Sequence, residues 1–235
     1  MNKIKSTNFS EIKACVFDAY GTLFDFNSAV DRCSKDVGVK SEELSNIWRQ
    51  KQIQYTWLRS MMNKYADFWT VTGEALDYAM SAVSIKDEKL HKKLMQLYKE
   101  LEIFPEVNEA LNNIKNENII IAILSNGTQE MLCSAIKHSN LSPLIDRVIS
   151  VDEIGVYKPN PKVYQLAVSK LELNPEEICF ISSNAWDAHG ASSFGFKVIW
   201  VNRYQLPLEQ MPSKPDENIS SLKSITNLFG LKRHV

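Results

Sequence analysis

No stretch of this sequence stays apolar long enough to cross a bilayer, where about 20 consecutive apolar residues are needed. No membrane-spanning helix is therefore expected. An excess of charge of one sign is lacking too. The 27 basic residues stand against 28 acidic ones, for a formal net charge of −1, so no global field draws the chain toward nucleic acid or anionic lipid. No CxxC pair occurs among the four cysteines, Cys15, Cys33, Cys133 and Cys179. The expectation is therefore buried thiols in a reducing compartment, not disulfides or zinc ligands. His91, His138, His189 and His234 are unclustered and unlike a metal-ligand set. The opening MNKIKSTNFSEIK has no apolar block of the signal-peptide kind, which makes the cytoplasm the expected address. Internal repeats and low-complexity tracts are absent as well.

What remains is an ordinary globular composition of 235 residues, 44% hydrophobic and 23% charged, enough for one large domain or a core with an insertion. Five short apolar runs stand out: IKACVFD near the start, IIIAIL (119–124), RVISV (147–151), ICFIS (178–182) and KVIWV (197–201). Helical patterns lie between them, including one running from SNGT to about His138 and one over Pro161–Leu171. NPEE (174–177) reads as a capped turn, QLPLEQMPSKPDEN (205–218) as a surface loop, and SLKSITNLFG closes the chain. Strands that are apolar throughout suggest a parallel sheet covered on both faces.

Residues 25–103 have a different texture. They carry amphipathic helical periodicity in SEELSNIWRQKQIQYTWLRSMM, ADFWTVTGEALDYAMSAV and DEKLHKKLMQLYKEL, and Ser41 with Glu42 and Glu43 marks a helix start. IFPEV (103–107) marks re-entry into the sheet. The predicted division is thus an α/β core of residues 1–24 and 104–235 with a helical insertion at 25–103. Ligands of open parallel sheets bind beyond the carboxyl ends of the strands. Asp18, Ser125–Asn126 and Ser182 to Asp187 are expected to converge there, roofed by the insertion.

Asp18 closes the first run in ACVFDAYGTLFDF, yet the place two residues on, where a second acid would help, holds Tyr20. The pattern Asp18-x-x-Gly21-Thr22, then Ser125 after IIIAIL, Lys158 in GVYKPNPKVY and Asp187 after ICFISSNAW resembles the haloacid dehalogenase superfamily over essentially the whole chain. Within it, VFDAYGTLFD, WRQKQIQYTWL, LSNGT, YKPNPKVY and SSNAWDAHG look like the (S)-2-haloacid dehalogenases. DxxGT alone is moderately specific, and SSNAWDxxG is the sharpest of the five. The resemblance implies a Rossmann-like parallel-sheet core with a helical cap.

Phosphatases of that superfamily protonate an alkoxide with an acid two residues after the nucleophile and hold Mg²⁺ with one four residues before the later Asp. Here those positions are Tyr20 and Ser183. Mg²⁺ wants carboxylate oxygens, and only Asp18 and Asp187 remain. Halide is a weak base that departs without a proton, so a lone carboxylate suits displacement at carbon without metal or cofactor.

The resemblance implies that Asp18 attacks C2 of a small 2-haloacid and inverts it, giving an ester, with Thr22 fixing its rotamer. Arg49 receives the halide, with Phe68 and Asn126 completing the cradle; Gln50 and Ile53 are expected as wall. Ser125, Asn126 and the backbone at Ala19 and Tyr20 bind the substrate carboxylate, although Ser and Asn are also ordinary helix caps. Lys158, preceding Pro159 and so extended, pairs with Asp18 and Asp187, supported by Tyr164. Ser182, Asn184 and Asp187 position or activate the hydrolytic water, and which of them, or Lys158, is the base stays open. Trp186 reads as packing and His189 as incidental. The expected function is hydrolysis of short-chain (S)-2-haloacids to (R)-2-hydroxy acids by a homodimer. Its rivals are a phosphatase or phosphotransferase of the same fold, a non-catalytic small-molecule binding protein, and hydrolysis of a strained small ring bearing a carboxylate.

Overall fold

The computed structural model describes residues 9–229. His234, the first eight residues and the last six lie outside them. Six strands form one parallel sheet in the order β3-β2-β1-β4-β5-β6. They are β1 (Ala14–Phe17), β2 (Ile120–Ser125), β3 (Arg147–Ser150), β4 (Ile178–Ser182), β5 (Lys197–Val201) and β6 (Glu217–Ile219). All five apolar runs are strands. β1, at the sheet's centre, is fully buried because helices cover both faces and leave no polar side for alternation.

The sixth strand is a correction to the expected five. Glu217–Ile219 pairs in parallel with β5, Ile199 opposite Glu217, although it begins inside the segment expected to be loop. Three residues at a sheet edge, two of them polar, carry no periodicity to read.

Five helices fall in the segment between β1 and residue 103: α1 (Ser28–Asp31), α2 (Ser34–Val37), α3 (Ser41–Met61), α4 (Phe68–Ala82) and α5 (Glu88–Tyr98). α3 starts at Ser41, but the Ser41 hydroxyl donates to the Gly38 carbonyl at 2.7 Å instead of capping the helix. α3 buries Leu44, Ser45, Trp48, Gln52 and Thr56, one stripe at helical spacing, three of its members polar. The Asp67 carboxylate caps α4 by accepting from the Thr70 amide at 2.8 Å, and Asp87 caps α5. The segment leaves and re-enters the sheet through two linkers bound to each other: the Asp25 amide donates to Glu102 O (2.8 Å) and the Phe104 amide to Leu23 O (3.1 Å).

The sheet's other helices are α6 (Val107–Lys115), α7 (Gln129–His138), α8 (Pro161–Leu171), α9 (Ala185–Phe194) and α10 (Ile225–Leu228). Asn160 caps α8 with proline at its first turn, and Asn174 with Glu177 forms the expected capped turn. Among the described residues no helix is long and apolar enough to cross a membrane.

Candidate active site

β2, β1 and β4 lie side by side, so the residues at their carboxyl ends meet: Ser125 ends β2, Asp18 follows β1 and Ser182 ends β4. Asp18 is 6% exposed. Its Oδ1 accepts from Lys158 Nζ at 3.1 Å. Its Oδ2 accepts from Asn184 Nδ2 (2.7 Å), Thr22 Oγ1 (3.2 Å) and Ser182 Oγ (3.3 Å). Four donors therefore fix one carboxylate in one orientation. Thr22 is held in turn, accepting from the Ser183 amide at 2.8 Å, while the Ser183 hydroxyl bonds Gly21 O.

Lys158 lies in the loop before α8, fully buried, with Nζ 2.8 Å from Asp187 Oδ2 and 4.9 Å from the centre of the Phe180 ring. Burial pulls its ammonium down, but the Asp18 and Asp187 carboxylates outweigh that and hold it above the ordinary lysine value. Asp187, in the first turn of α9, is pushed up to about 6 by burial, with the Asp18 charge adding and the Lys158 ammonium opposing. Tyr164 donates to Asp187 Oδ1 at 2.7 Å, so it supports Lys158 through Asp187 and not by direct contact. Gly190 makes this approach possible: a Cβ there would lie 2.5 Å from the Tyr164 hydroxyl and 2.7 Å from Pro159.

Arg49, on α3, faces this cluster from the helical segment. Its Nη2 donates to Tyr20 O and Asn184 Oδ1, both at 3.3 Å, and Nη1 to Gln52 Oε1 at 2.8 Å. Its Nε–H is buried without a partner. A half-buried guanidinium with one buried, unpaired donor is suited to take up an anion. The Tyr20 hydroxyl is likewise buried and unpartnered, its ring packed so near Gly127 that a Cβ there would come within 2.8 Å of it.

Between these groups lies a narrow cavity of about 10 Å³. Asp18, Ser125, Asn126 and Asn184 line it from the sheet; Arg49, Ile53, Thr56 and Phe68 line it from α3 and α4; Tyr20 and Trp186 close its sides. That volume is about the room of one water. Two cations and two carboxylates balance in its surroundings, so a small monoanion meets no net repulsion.

Some expectations need adjustment. Ser125 and Asn126 do not cap α7; Thr128 does, accepting from the Met131 amide at 3.1 Å. Asn126 Oδ1 instead accepts from the Lys158 amide at 3.0 Å, and Ser125 Oγ from the Gly127 amide at 3.1 Å. At Ala19 and Tyr20 the carbonyls are engaged as acceptors, Ala19 O for the Thr22, Leu23 and Phe24 amides, Tyr20 O for Arg49 and Asn184. Gln50 is exposed and faces an outer groove, whereas Ile53 does line the cavity. The buried glutamine is Gln52, which sequence reading passed over along with Thr56, Thr72 and Tyr98. His189 is buried, its Nδ1 2.5 Å from Ser213 O.

A divalent cation does not fit this donor set. Among the described residues no group of three or more His, Cys, Asp or Glu side chains is gathered to hold a metal. An ammonium already fills the space between Asp18 and Asp187.

Residues 12–195 match the family model of the haloacid dehalogenase-like hydrolases. The chain is 46% identical to (S)-2-haloacid dehalogenase 4A of Burkholderia cepacia, over 93% of this chain and 95% of that one. A crystal structure of a dehalogenase superposes with a TM-score of 0.91 at 45% identity, covering 92% and 96% of the two chains. The L-2-haloacid dehalogenase of Xanthobacter autotrophicus, solved with chloropropionic acid covalently bound, superposes with a TM-score of 0.85 at 36% identity, over 92% and 98%.

Proposed function

The chain belongs to the haloacid dehalogenase-like hydrolases, among the (S)-2-haloacid dehalogenases, and from that premise we propose that it hydrolyses short-chain (S)-2-haloacids to (R)-2-hydroxy acids and halide. The observation that carries this reading is the pairing, across a small cavity, of one carboxylate fixed by four donors with a half-buried arginine whose buried Nε–H has no partner. Asp18 is the nucleophile. One of its oxygens bonds to C2 from the side opposite the halogen, the C2–halogen bond breaks, and the halide leaves with the electron pair toward Arg49. No proton is required. Displacement from behind inverts C2, and the enclosed cavity keeps the carboxylate from a full water shell that would blunt it. Phe68 and Asn126 flank the departing halide, while Ser125 and the Ala19–Tyr20 turn receive the substrate carboxylate.

In the second half, water attacks Cγ of the Asp18 ester, the Cγ–O bond to the substrate breaks, and the hydroxy acid leaves with an oxygen that began on Asp18. We assign Asp187 as the base that takes the water's proton. A carboxylate raised to about 6 is a stronger base than an ordinary one yet still ionised at neutral pH. Ser182 and Asn184, both bonded to Asp18, hold the water, and Lys158 stabilises the charge on the regenerated carboxylate.

One turnover in ¹⁸O-water tests the ester directly. Label is expected in the peptide containing Asp18; label only in the product overturns the assignment and favours attack by water on C2. Asp187→Asn is expected to complete alkylation and then stall, so the intact protein gains the mass of the carboxyalkyl group. In the wild type, kcat is expected to fall as pH drops below about 6, because Asp187 then carries a proton and accepts none. An Asp187→Asn protein that turns over normally sinks the base assignment.

Magnesium-dependent release of phosphate from an aryl phosphate would revive the phosphatase alternative, which Tyr20 and Ser183 oppose. The reading brings with it a helical cap (25–103) on a core of 1–24 and 104–235, a homodimer, which light scattering can test, and a cytoplasmic address.

A further inference from the structure

We propose that Gln52 is a positioning residue that presets the Arg49 guanidinium and ties it to Phe68, so that both groups facing the halide are aligned through one buried amide. The proposal rests on the dehalogenase reading for its substrate and on geometry for the rest. Gln52 is 1% exposed, at the middle of α3. Its Oε1 accepts from Arg49 Nη1 at 2.8 Å and from the Tyr98 hydroxyl at 3.1 Å. Its Nε2 donates to Thr72 Oγ1 at 2.7 Å, and the Thr72 hydroxyl donates to Phe68 O at 2.6 Å.

Donor and acceptor counting leaves this chain one arrangement. Phe68 O can only accept, so the Thr72 hydroxyl spends its proton there and must accept from Gln52. The amide nitrogen therefore faces Thr72, and the oxygen faces Arg49 and Tyr98, which both have protons to give. Every member lies between α3, α4 and α5, and Trp48 Nε1 fastens the same turn by donating to Thr72 O at 2.9 Å. Tyr98 also stacks on Tyr20, ring centres 5.5 Å apart, which links the amide to the wall of the cavity. With Nη1 held by Gln52 and Nη2 by Tyr20 O and Asn184, the guanidinium plane is fixed and its free Nε–H has one direction.

A buried amide that only filled space would slow all substrates alike when replaced. One that aims Arg49 matters more when the leaving group needs more charge stabilisation. The test compares Gln52→Met and Gln52→Glu with wild type on (S)-2-chloropropionate and (S)-2-bromopropionate, by single-turnover halide release. Gln52→Met is expected to lower alkylation of the chloride about 10–100-fold, the order that a 1 Å misplacement produces, and that of the bromide several-fold less. Gln52→Glu, whose carboxylate pairs with Arg49, is expected to weaken competitive inhibition by bromide. Tyr98→Phe, which removes one of the two protons given to Gln52 without opening a cavity, is expected to shift the chloride-to-bromide ratio the same way by less. An unchanged ratio in both Gln52 variants overturns the proposal, even if overall rates drop. Should the wild type release no halide from either acid, the activity reading fails by itself. Gln52 is then judged by bromide titration followed calorimetrically: weaker binding in Gln52→Glu supports it, and equal binding overturns it.

Discussion

Asp18→Asn protein is expected to release halide from (S)-2-chloropropionate about 10⁴-fold more slowly than wild type, or worse, while folding as wild type does. The size of the effect follows from the site having one nucleophile. The amide nitrogen of asparagine has no free electron pair to offer C2, and no other carboxylate among the described residues touches the cavity. Asp187, the nearest alternative, is fully buried with its oxygens on Lys158 and Tyr164. Loss of a step that every later step depends on removes nearly all turnover. Folding is expected to survive because asparagine keeps the shape and an acceptor oxygen for Thr22 and Ser182, and Lys158 keeps Asp187 at 2.8 Å. Circular dichroism with a melting curve checks the fold, and halide release by ion chromatography checks the rate. Measurement within hours of purification matters, since deamidation would regenerate aspartate. A variant that retains a hundredth of wild-type release with an intact amide would mean that water, not Asp18, attacks C2.

The sheet was legible because its strands are covered on both faces. Continuous apolar runs such as ICFIS and KVIWV mark that situation, and both match their strands end to end. β6 was not legible, because an edge strand of three residues needs only backbone pairing and imposes no pattern on side chains. The floor of the cavity was partly legible for a geometric reason: in a parallel sheet the carboxyl ends of neighbouring strands are neighbours in space, so Asp18, Ser125 and Ser182 had to meet once the strands were placed. The helical side was harder. Amphipathic periodicity says which stripe of α3 is buried but not which buried polar residue finds which partner. Gln52, Thr72 and Tyr98 come from three helices, and their network depends on how α3, α4 and α5 pack, which spacing along one helix does not encode. Gln50 shows the same limit from the other direction: it is next to Arg49 in sequence, yet on a helix adjacent residues face different ways, and it points outward.

Lys158→Met is expected to destabilise the fold by roughly 3–5 kcal/mol near pH 8, the loss typical of removing one partner from a buried charge cluster. Methionine fills similar volume, so packing accounts for little of that loss. What remains is Asp18 and Asp187, both buried, with no cation between them. The variant relieves part of the repulsion by binding a proton, and Asp187 is the group to take it, since burial and Asp18 already push it upward when Lys158 is present. The sign of the pH dependence follows. A carboxyl whose folded value lies above its unfolded value binds the extra proton in the folded state, so stability falls as pH rises through that window and the penalty fades as pH drops toward the unfolded value. Urea unfolding at pH 5 and pH 8 is therefore expected to give a smaller gap from wild type at pH 5. Activity is lost at both, because the ammonium that orients Asp18 is gone and a protonated Asp187 cannot accept a proton from water. Lys158→Arg is not expected to rescue it: a planar guanidinium is too broad for a space that now holds an ammonium 3.1 Å from one carboxylate and 2.8 Å from the other. A stability gap equal at the two pH values would mean that Lys158 acts by packing alone and that the two aspartates are not electrostatically joined through it.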